Sequence, residues 1–124
     1  MFKELFVVVY ILLTAPCAIA WDTATTKQYD KSGRYKGYYQ ASPDSPTTKF
    51  YGNSGRYKGY STATDGMTKY YNSNGRYKGY SNTDDSTTKY YNENGRYNGY
   101  SNESDGMIKY YNNKGKYKGY DLGD

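Results

Sequence analysis

Hydrophobic and polar positions divide the 124-residue chain into two unequal parts. An apolar stretch occupies residues 5–13, whereas the chain after residue 20 is mostly polar and carries tyrosines at regular intervals. This later part repeats one phrase, which reads Lys-Tyr-Tyr-Asn-Ser-Asn-Gly-Arg-Tyr-Lys-Gly-Tyr in its clearest copy. A fixed period of about twenty residues predicts an array of small supersecondary units stabilised by contact with their neighbours. The five copies span residues 27–38, 49–60, 69–80, 89–100 and 109–120.

Each copy of the phrase predicts a β-hairpin. Tyrosine favours strands, and a glycine-containing break separates two short tyrosine-rich arms. In the third copy, Ser73-Asn74-Gly75 suits a three-residue loop whose glycine is left-handed, and Gly95 holds the same position in the fourth. We therefore expect an all-β fold, a tandem array of five hairpins that is either solenoid-like or a twisted antiparallel sheet. An isolated hairpin is marginal in water, so the hairpins must dock side by side.

The same loop predicts which side chains share a face of each hairpin. Regular pairing beyond the loop places Tyr71 opposite Tyr77 and Tyr70 opposite Lys78, and side chains alternate between faces along a strand. Because the Tyr71–Tyr77 pair recurs in every copy, we expect it to be inward, with Gly79 beside it letting a neighbouring ring approach the backbone. The predicted structural residues are Tyr71, Tyr77, Gly75, Gly79, Tyr91, Tyr97 and Gly95. The second face is basic and variable, and we expect it to be exposed.

The polar linkers between the copies read as turns because they are rich in Asp, Gly, Pro and Ser. Asp-Gly-Met occurs in the linkers that end at residues 67 and 107, whereas Thr-Thr follows the other two. The linkers therefore alternate with a period of two copies. This alternation fits either duplication of a unit of about forty residues or successive linkers on different sides of the structure.

Tyrosine has to supply the core of the repeat region. The chain holds 20 tyrosines, and large aliphatic residues after residue 20 are confined to Met67, Met107, Ile108 and Leu122. An aliphatic core is thus excluded, and we expect stacked rings instead. Each aromatic pair adds about 0.5–1.5 kcal/mol, and the hydroxyl can remain at a wet edge.

The first twenty residues are typical of a secretory signal peptide. A short apolar core is followed by small residues, and we expect cleavage after Ala20, which leaves residues 21–124 as one repeat domain. The apolar run is shorter than the roughly 20 residues that span a bilayer, although an uncleaved anchor is the alternative. The sole cysteine, Cys17, lies in this segment, so the mature chain would contain no thiol. We expect a secreted or periplasmic protein that meets the membrane only during export.

The repeat resembles the YD repeats of bacterial Rhs and teneurin-like proteins. Their Tyr-Asp-x-x-Gly-Arg core is matched by Tyr29-Asp30-Lys31-Ser32-Gly33-Arg34, and the resemblance covers about residues 22–120. In this chain four copies have Asn or Gly in place of the Asp. The resemblance implies β-hairpin repeats that bind carbohydrate or build a shell. A weaker likeness to choline-binding and related cell-wall repeats rests on paired aromatics, a glycine turn and a Gly-aromatic end.

The composition argues against catalysis. The chain has no histidine, the commonest general base and metal ligand, and no cysteine after residue 20. Its acidic residues lie mostly singly in linkers, where solvated turn residues are expected. We therefore expect no enzyme, no metal and no cofactor.

Binding is the functional class that the sequence favours. Exposed tyrosines beside Lys and Arg can stack on sugar rings or lie along an anionic polymer, so we expect an envelope-binding or cell-surface-binding module. The predicted ligand-contact residues are Tyr70, Tyr80, Lys78, Tyr90, Tyr100, Tyr110 and Tyr120. The expected partners are an envelope polysaccharide or a surface protein, and nucleic acid is not expected because of the export signal. The alternative is a structural or interaction protein that pairs with itself or another protein through β edges.

Overall fold

Ten antiparallel strands form a single closed sheet in the computed structural model, which describes residues 24–123. The predicted signal peptide, its cleavage site at Ala20 and Cys17 lie outside the described residues. The strands are β1 (Ala24–Asp30), β2 (Tyr35–Ala41), β3 (Thr47–Gly52), β4 (Tyr57–Thr64), β5 (Met67–Asn72), β6 (Tyr77–Asp84), β7 (Thr87–Asn92), β8 (Tyr97–Ser104), β9 (Met107–Asn112) and β10 (Tyr117–Gly123).

The sheet is an up-and-down barrel rather than an open array. Every strand pairs with its neighbours in the sequence, and β1 closes the sheet by pairing with β10 from Thr26↔Gly123 to Asp30↔Gly119. The prediction of an all-β fold built from five hairpins is confirmed. The prediction named a solenoid-like array or a twisted antiparallel sheet and did not include closure. Closure satisfies the backbone groups that an open sheet leaves unpaired at its two edges.

The five glycine-closed turns form as the sequence predicts. In the third copy the Asn72 N–H donates to the Arg76 carbonyl oxygen at 3.0 Å, and Gly75 has φ 82°. The Asn72 Oδ1 accepts hydrogen bonds from the backbone N–H groups of Asn74 and Arg76, both at 2.9 Å. A side chain that caps its own turn makes the local sequence sufficient to specify it. Asp30, Asn92 and Asn112 make the same contacts, whereas Gly52 has no side chain with which to do so.

The last three linkers are mostly strand, which corrects their interpretation as turns, whereas residues 42–46 of the first linker contain no strand. Strand β4 continues to Thr64, and only Asp65 and Gly66 separate it from β5. Both residues have positive φ, 52° and 81°, as a two-residue hairpin turn of type I′ requires. Hairpins therefore alternate between the two ends of the barrel. All glycine-closed turns lie at one end, and all linker turns lie at the other.

A β-bulge follows the glycine-closed turn in every copy and changes the predicted register. Tyr71 pairs with Tyr77 as expected, but Tyr70 pairs with Gly79 rather than with Lys78, which is the extra residue. The same shift occurs in the other four hairpins. Because a one-residue shift reverses the faces of a strand, Tyr80 lies on the face of Tyr71 and not on that of Tyr70.

The predicted inward and outward faces are consequently reversed. Tyr70 points into the barrel with the buried Ser81, whereas Tyr71 and Tyr77 lie on the outside, where Tyr77 is 36% exposed. No apolar side chain within residues 24–123 is fully buried. The sequence correctly predicted a core built on tyrosine, but it assigned that core to the wrong tyrosines.

The glycine after the bulge is required by backbone contact rather than by ring packing. Gly79 has φ 136°, and a Cβ there would lie 2.2 Å from the carbonyl oxygen of Tyr91 on the next hairpin. The same contact recurs at the other four seams, including the one between β10 and β1. The absence of a side chain at this position therefore lets adjacent hairpins pair closely.

The reversed faces predict opposite costs for two tyrosine truncations. Tyr70→Ala should lower the free energy of unfolding by about 3–5 kcal/mol because it removes a ring from the core. Tyr77→Ala should cost only about 1 kcal/mol because its ring makes one edge contact at the surface. Chemical denaturation followed by far-UV circular dichroism checks this, and equal costs would contradict the face assignment.

Two glycine substitutions separate backbone contact from turn strain. Gly75→Ala meets no atom within 4 Å and should cost about 1 kcal/mol because its φ is left-handed. Gly79→Ala should cost at least about 3 kcal/mol, because its methyl group would collide with a carbonyl that is fixed by the sheet. Thermal unfolding of both variants measures the difference, and similar melting temperatures would show that the seam tolerates a side chain.

Candidate functional site

The inside of the barrel carries an arc of aromatic rings, which we call the inner arc. Its members are Tyr39, Phe50, Tyr70, Tyr90 and Tyr110, and successive ring centroids are 5.3, 6.2, 6.3 and 5.9 Å apart. The planes of neighbouring rings are tilted by 43–49°. Each hairpin contributes at least one inward position to this layer, so the arc passes around most of the interior. It is the closest equivalent of a hydrophobic core.

Hydroxyl groups of the arc bond to side chains on the neighbouring strand. The Tyr70 hydroxyl lies 3.0 Å from Ser81 Oγ, and the Tyr90 hydroxyl lies 3.0 Å from Ser101 Oγ. Burial raises the pKa of the Tyr70 and Tyr90 phenols, so both remain protonated at neutral pH. Pairing a buried hydroxyl with a buried serine removes the cost of leaving either group without a partner.

The arc is interrupted where β10, β1 and β2 meet, and a polar cluster, which we call the clasp, fills the interruption. Asp121 holds the position that is serine in the three preceding copies, is 2% exposed, and accepts a hydrogen bond of 2.5 Å from the Tyr110 hydroxyl. The side chains of Gln28 and Tyr39 also lie near the Asp121 carboxyl, and both lower its pKa as hydrogen-bond donors. The clasp therefore joins the last hairpin to the first through side chains as well as through the sheet.

Burial dominates the electrostatics of the clasp. Burial raises the pKa of Asp121 to about 6, against the opposing effect of hydrogen bonds from Tyr110, Gln28 and Tyr39 and of the charge on Lys36. Burial and the nearby Asp121 carboxyl also raise the pKa of the Tyr39 phenol above its ordinary value. A buried carboxyl with no cation bonded to it favours the protonated form.

The outside of the barrel carries five groups of three tyrosines, which we call the outer triads. In each triad one ring stacks across the seam between hairpins and makes an edge contact within its own hairpin. Tyr71 stacks on Tyr60 at 4.8 Å and contacts Tyr77 at 5.9 Å. The other triads are Tyr120–Tyr29–Tyr35, Tyr38–Tyr51–Tyr57, Tyr80–Tyr91–Tyr97 and Tyr100–Tyr111–Tyr117. Closure therefore gives five equivalent seams.

Charge is segregated between the two ends of the barrel. The end with the glycine-closed turns, which we call the basic end, carries eleven exposed cations and the two anions Asp30 and Glu93. These cations are Lys31, Arg34, Lys36, Arg56, Lys58, Arg76, Lys78, Arg96, Lys114, Lys116 and Lys118. Within residues 24–123 the only ion pair joins Arg34 Nε to Asp30 Oδ2 at 3.3 Å.

The opposite end, which we call the acidic end, has the reverse composition. Its turns and the strand positions next to them carry Asp44, Asp65, Asp84, Asp85, Glu103 and Asp105, with no Lys or Arg in residues 42–46, 63–67, 83–87 or 103–107. Five further lysines, one in each hairpin, lie on the outer surface between the two ends. The difference in charge between the two ends thus follows from the topology, which places all glycine-closed turns at one end of the barrel and all linker turns at the other.

The structure divides the predicted ligand-contact residues into two groups. Tyr70, Tyr90 and Tyr110 line the interior, whereas Tyr80, Tyr100 and Tyr120 stack in the outer triads and Lys78 is exposed at a bulge. They do not form one surface. The tyrosines that were predicted to be inward, Tyr71, Tyr77, Tyr91 and Tyr97, are the ones that accompany the basic end outside.

The sequence interpretation missed the clasp, although the repeat contains a signal for it. Gln28 stands where the other copies have an aromatic residue, and Tyr39 and Asp121 stand where they have serine. Each departure taken alone looks like drift. Closure brings all three together, with Tyr39 placed beside the position at which Gln28 leaves no ring.

Comparisons with protein-family models, with curated proteins and with solved structures found no match. The resemblance to YD repeats and the weaker one to cell-wall repeats therefore stay predictions. No helix within residues 24–123 is long and apolar enough to cross a membrane. The same residues contain no group of three His, Cys, Asp or Glu side chains placed to hold a metal ion.

The buried carboxyl predicts a pH-dependent contribution to stability. Its folded pKa of about 6 lies above the ordinary 3.8, so the contribution is complete below pH 4 and is lost as pH rises through 6. The stability of the wild type relative to Asp121→Asn should fall by up to roughly 3 kcal/mol between pH 4 and pH 7. Denaturation at a series of pH values measures this difference. Asp105→Asn, at an exposed turn, is the control for removal of a carboxyl group. The prediction would be contradicted if the stability difference between wild type and Asp121→Asn did not change with pH.

Proposed function

We propose that this protein is a non-enzymatic binding module for an extended anionic glycan. The observation that carries the proposal is the basic end, where exposed cations outnumber anions and only Arg34 is paired with a carboxylate. Positive charges concentrated on one surface attract a polyanion over distances of about a Debye length, near 8–10 Å in physiological salt. The predicted export signal supports a ligand outside the cytoplasm.

The outer triads supply the apolar part of the proposed surface. Tyr35, Tyr57, Tyr77 and Tyr97 are 36–40% exposed and lie next to the basic turns. Each of these rings is flanked in sequence by an exposed arginine and by the residue of the bulge, which is lysine in three of the four copies. A sugar ring can pack on the face or edge of such a tyrosine while its carboxylate or sulfate meets the neighbouring cation. Similar surfaces recur around the barrel, which suits a polymer with a repeating charge.

The alternative function is a structural or interaction protein that pairs through β edges. All ten strands within residues 24–123 are paired on both sides, so none of them offers a free edge to another chain. The opposite charges of the two ends leave end-to-end contact between copies as the route to self-association. Light scattering of the protein without polymer monitors this route independently.

Affinity for a charged and an uncharged form of the same glycan tests the proposal. Polygalacturonate should bind at least tenfold more tightly than its fully methyl-esterified form, and the affinity should fall steeply as salt increases. The triple variant Arg56→Gln, Arg76→Gln, Arg96→Gln should lose at least tenfold in affinity. Isothermal titration at two salt concentrations provides the measurement.

A matched control variant removes three positive charges from the outer surface between the two ends of the barrel. Lys49→Gln, Lys69→Gln and Lys89→Gln together lower the net charge by the same amount but lie between the two ends, and they should change affinity by less than about threefold. Equal losses in the two triple variants would show that only net charge matters and would defeat the proposal. Alanine at Tyr70, Tyr90 or Tyr110 is unsuitable as a test because those rings belong to the inner arc.

A further inference from the structure

The interior of the barrel contains a cavity of about 340 Å³, which we call the cup. The inner arc forms its floor, and its walls carry hydroxyl groups and one aliphatic side chain. The wall residues are Thr48, Ser61, Thr68, Ser81, Thr83, Thr88 and Ile108, with Gln28 at the interruption of the arc. Ten strands enclose a wider interior than the eight whose side chains just fill a small barrel, and the volume matches the lower range of small-ligand sites.

The cup opens at the acidic end. The threonines of its wall lie two residues before the rings of the arc, on the side of the linker turns, and Thr83 is exposed at the rim. Five exposed aspartates, contributed by the linker turns and the strand positions next to them, lie around this opening. A cleft bordered by one sign of charge and lined by a low-dielectric wall focuses the field on its interior.

The inward-facing ionisable side chains are also acidic. All Lys and Arg residues within residues 24–123 are exposed, whereas Asp121 lies buried in the clasp beside the floor. Glu103 faces inward near the rim, because it alternates with the buried Ser101 and pairs with Ile108 of the wall. The inward face of the described residues therefore carries two carboxyl groups and no Lys or Arg side chain, although the charge on the exposed Lys36 acts on Asp121.

We propose that the cup binds a small primary ammonium ion with a compact apolar body. The Glu103 carboxylate and the hydroxyls of the wall accept hydrogen bonds from the three ammonium N–H groups. The apolar body packs on the Tyr70 and Tyr90 rings at the floor of the cup. This site is separate from the glycan surface, which lies on the outside and at the other end of the barrel.

Two probes of equal shape test the charge requirement. Cyclohexylammonium should bind at least tenfold more tightly than cyclohexanol in isothermal titration at low ionic strength. Glu103→Gln should weaken cyclohexylammonium binding at least fivefold. Glu93→Gln removes the same charge from an exposed turn at the basic end and should change the affinity by less than twofold.

A second pair of variants introduces a cation instead of removing an anion. Thr83→Lys places an ammonium group at the rim and should reduce binding at least tenfold. Asn98→Lys adds the same charge at a bulge where the other four copies already carry lysine, and it should leave binding unchanged. Circular dichroism confirms that each variant is folded. Equal binding of the two probes, or equal effects within either pair of variants, would overturn the proposal.

Discussion

One extra residue in the second strand of each hairpin decides which tyrosines the barrel encloses. The bulge at Lys78 and its equivalents moves the pairing by one position, so that Tyr70 meets a glycine and points inward. The glycine is required because the carbonyl of the neighbouring hairpin occupies the space of a side chain. The bulge, the glycine after it and the close contact between hairpins therefore depend on one another. The inner arc, the outer triads and the closure of the sheet all depend on it.

The turns of this fold could be predicted from the sequence, whereas the assignment of tyrosines to the inner and outer faces could not. The turn around Gly75 is specified by residues within five positions of each other, and the side chain of Asn72 completes it without help from the rest of the chain. By contrast, Tyr70 and Tyr71 are adjacent and equally aromatic, so alternation gives no preference for either face. Only the bulge distinguishes them, and in the sequence it is merely the residue before a glycine, a lysine in four of the five copies.

Closure and the clasp could not be predicted because both depend on contacts between the first and last copies. No local pattern distinguishes a hairpin that pairs with a neighbour from one that also pairs with a strand far away in sequence. The departures at Gln28, Tyr39 and Asp121 acquire meaning only when β10 lies beside β1. The repeat pattern thus specified the unit, whereas its exceptions specified how the units join.

Closure makes the number of repeats a fixed property of this fold. An open solenoid accepts another repeat at either end because each unit contacts only its neighbours. Here a sixth hairpin would have to enter between two strands that are already paired, widen the interior and separate the rings of the inner arc. The clasp occupies a single position in the ring and marks the seam between the first and last copies. Closure therefore fixes the number of repeats at five. The clasp breaks the fivefold symmetry of the barrel at one seam, where a unique site can arise.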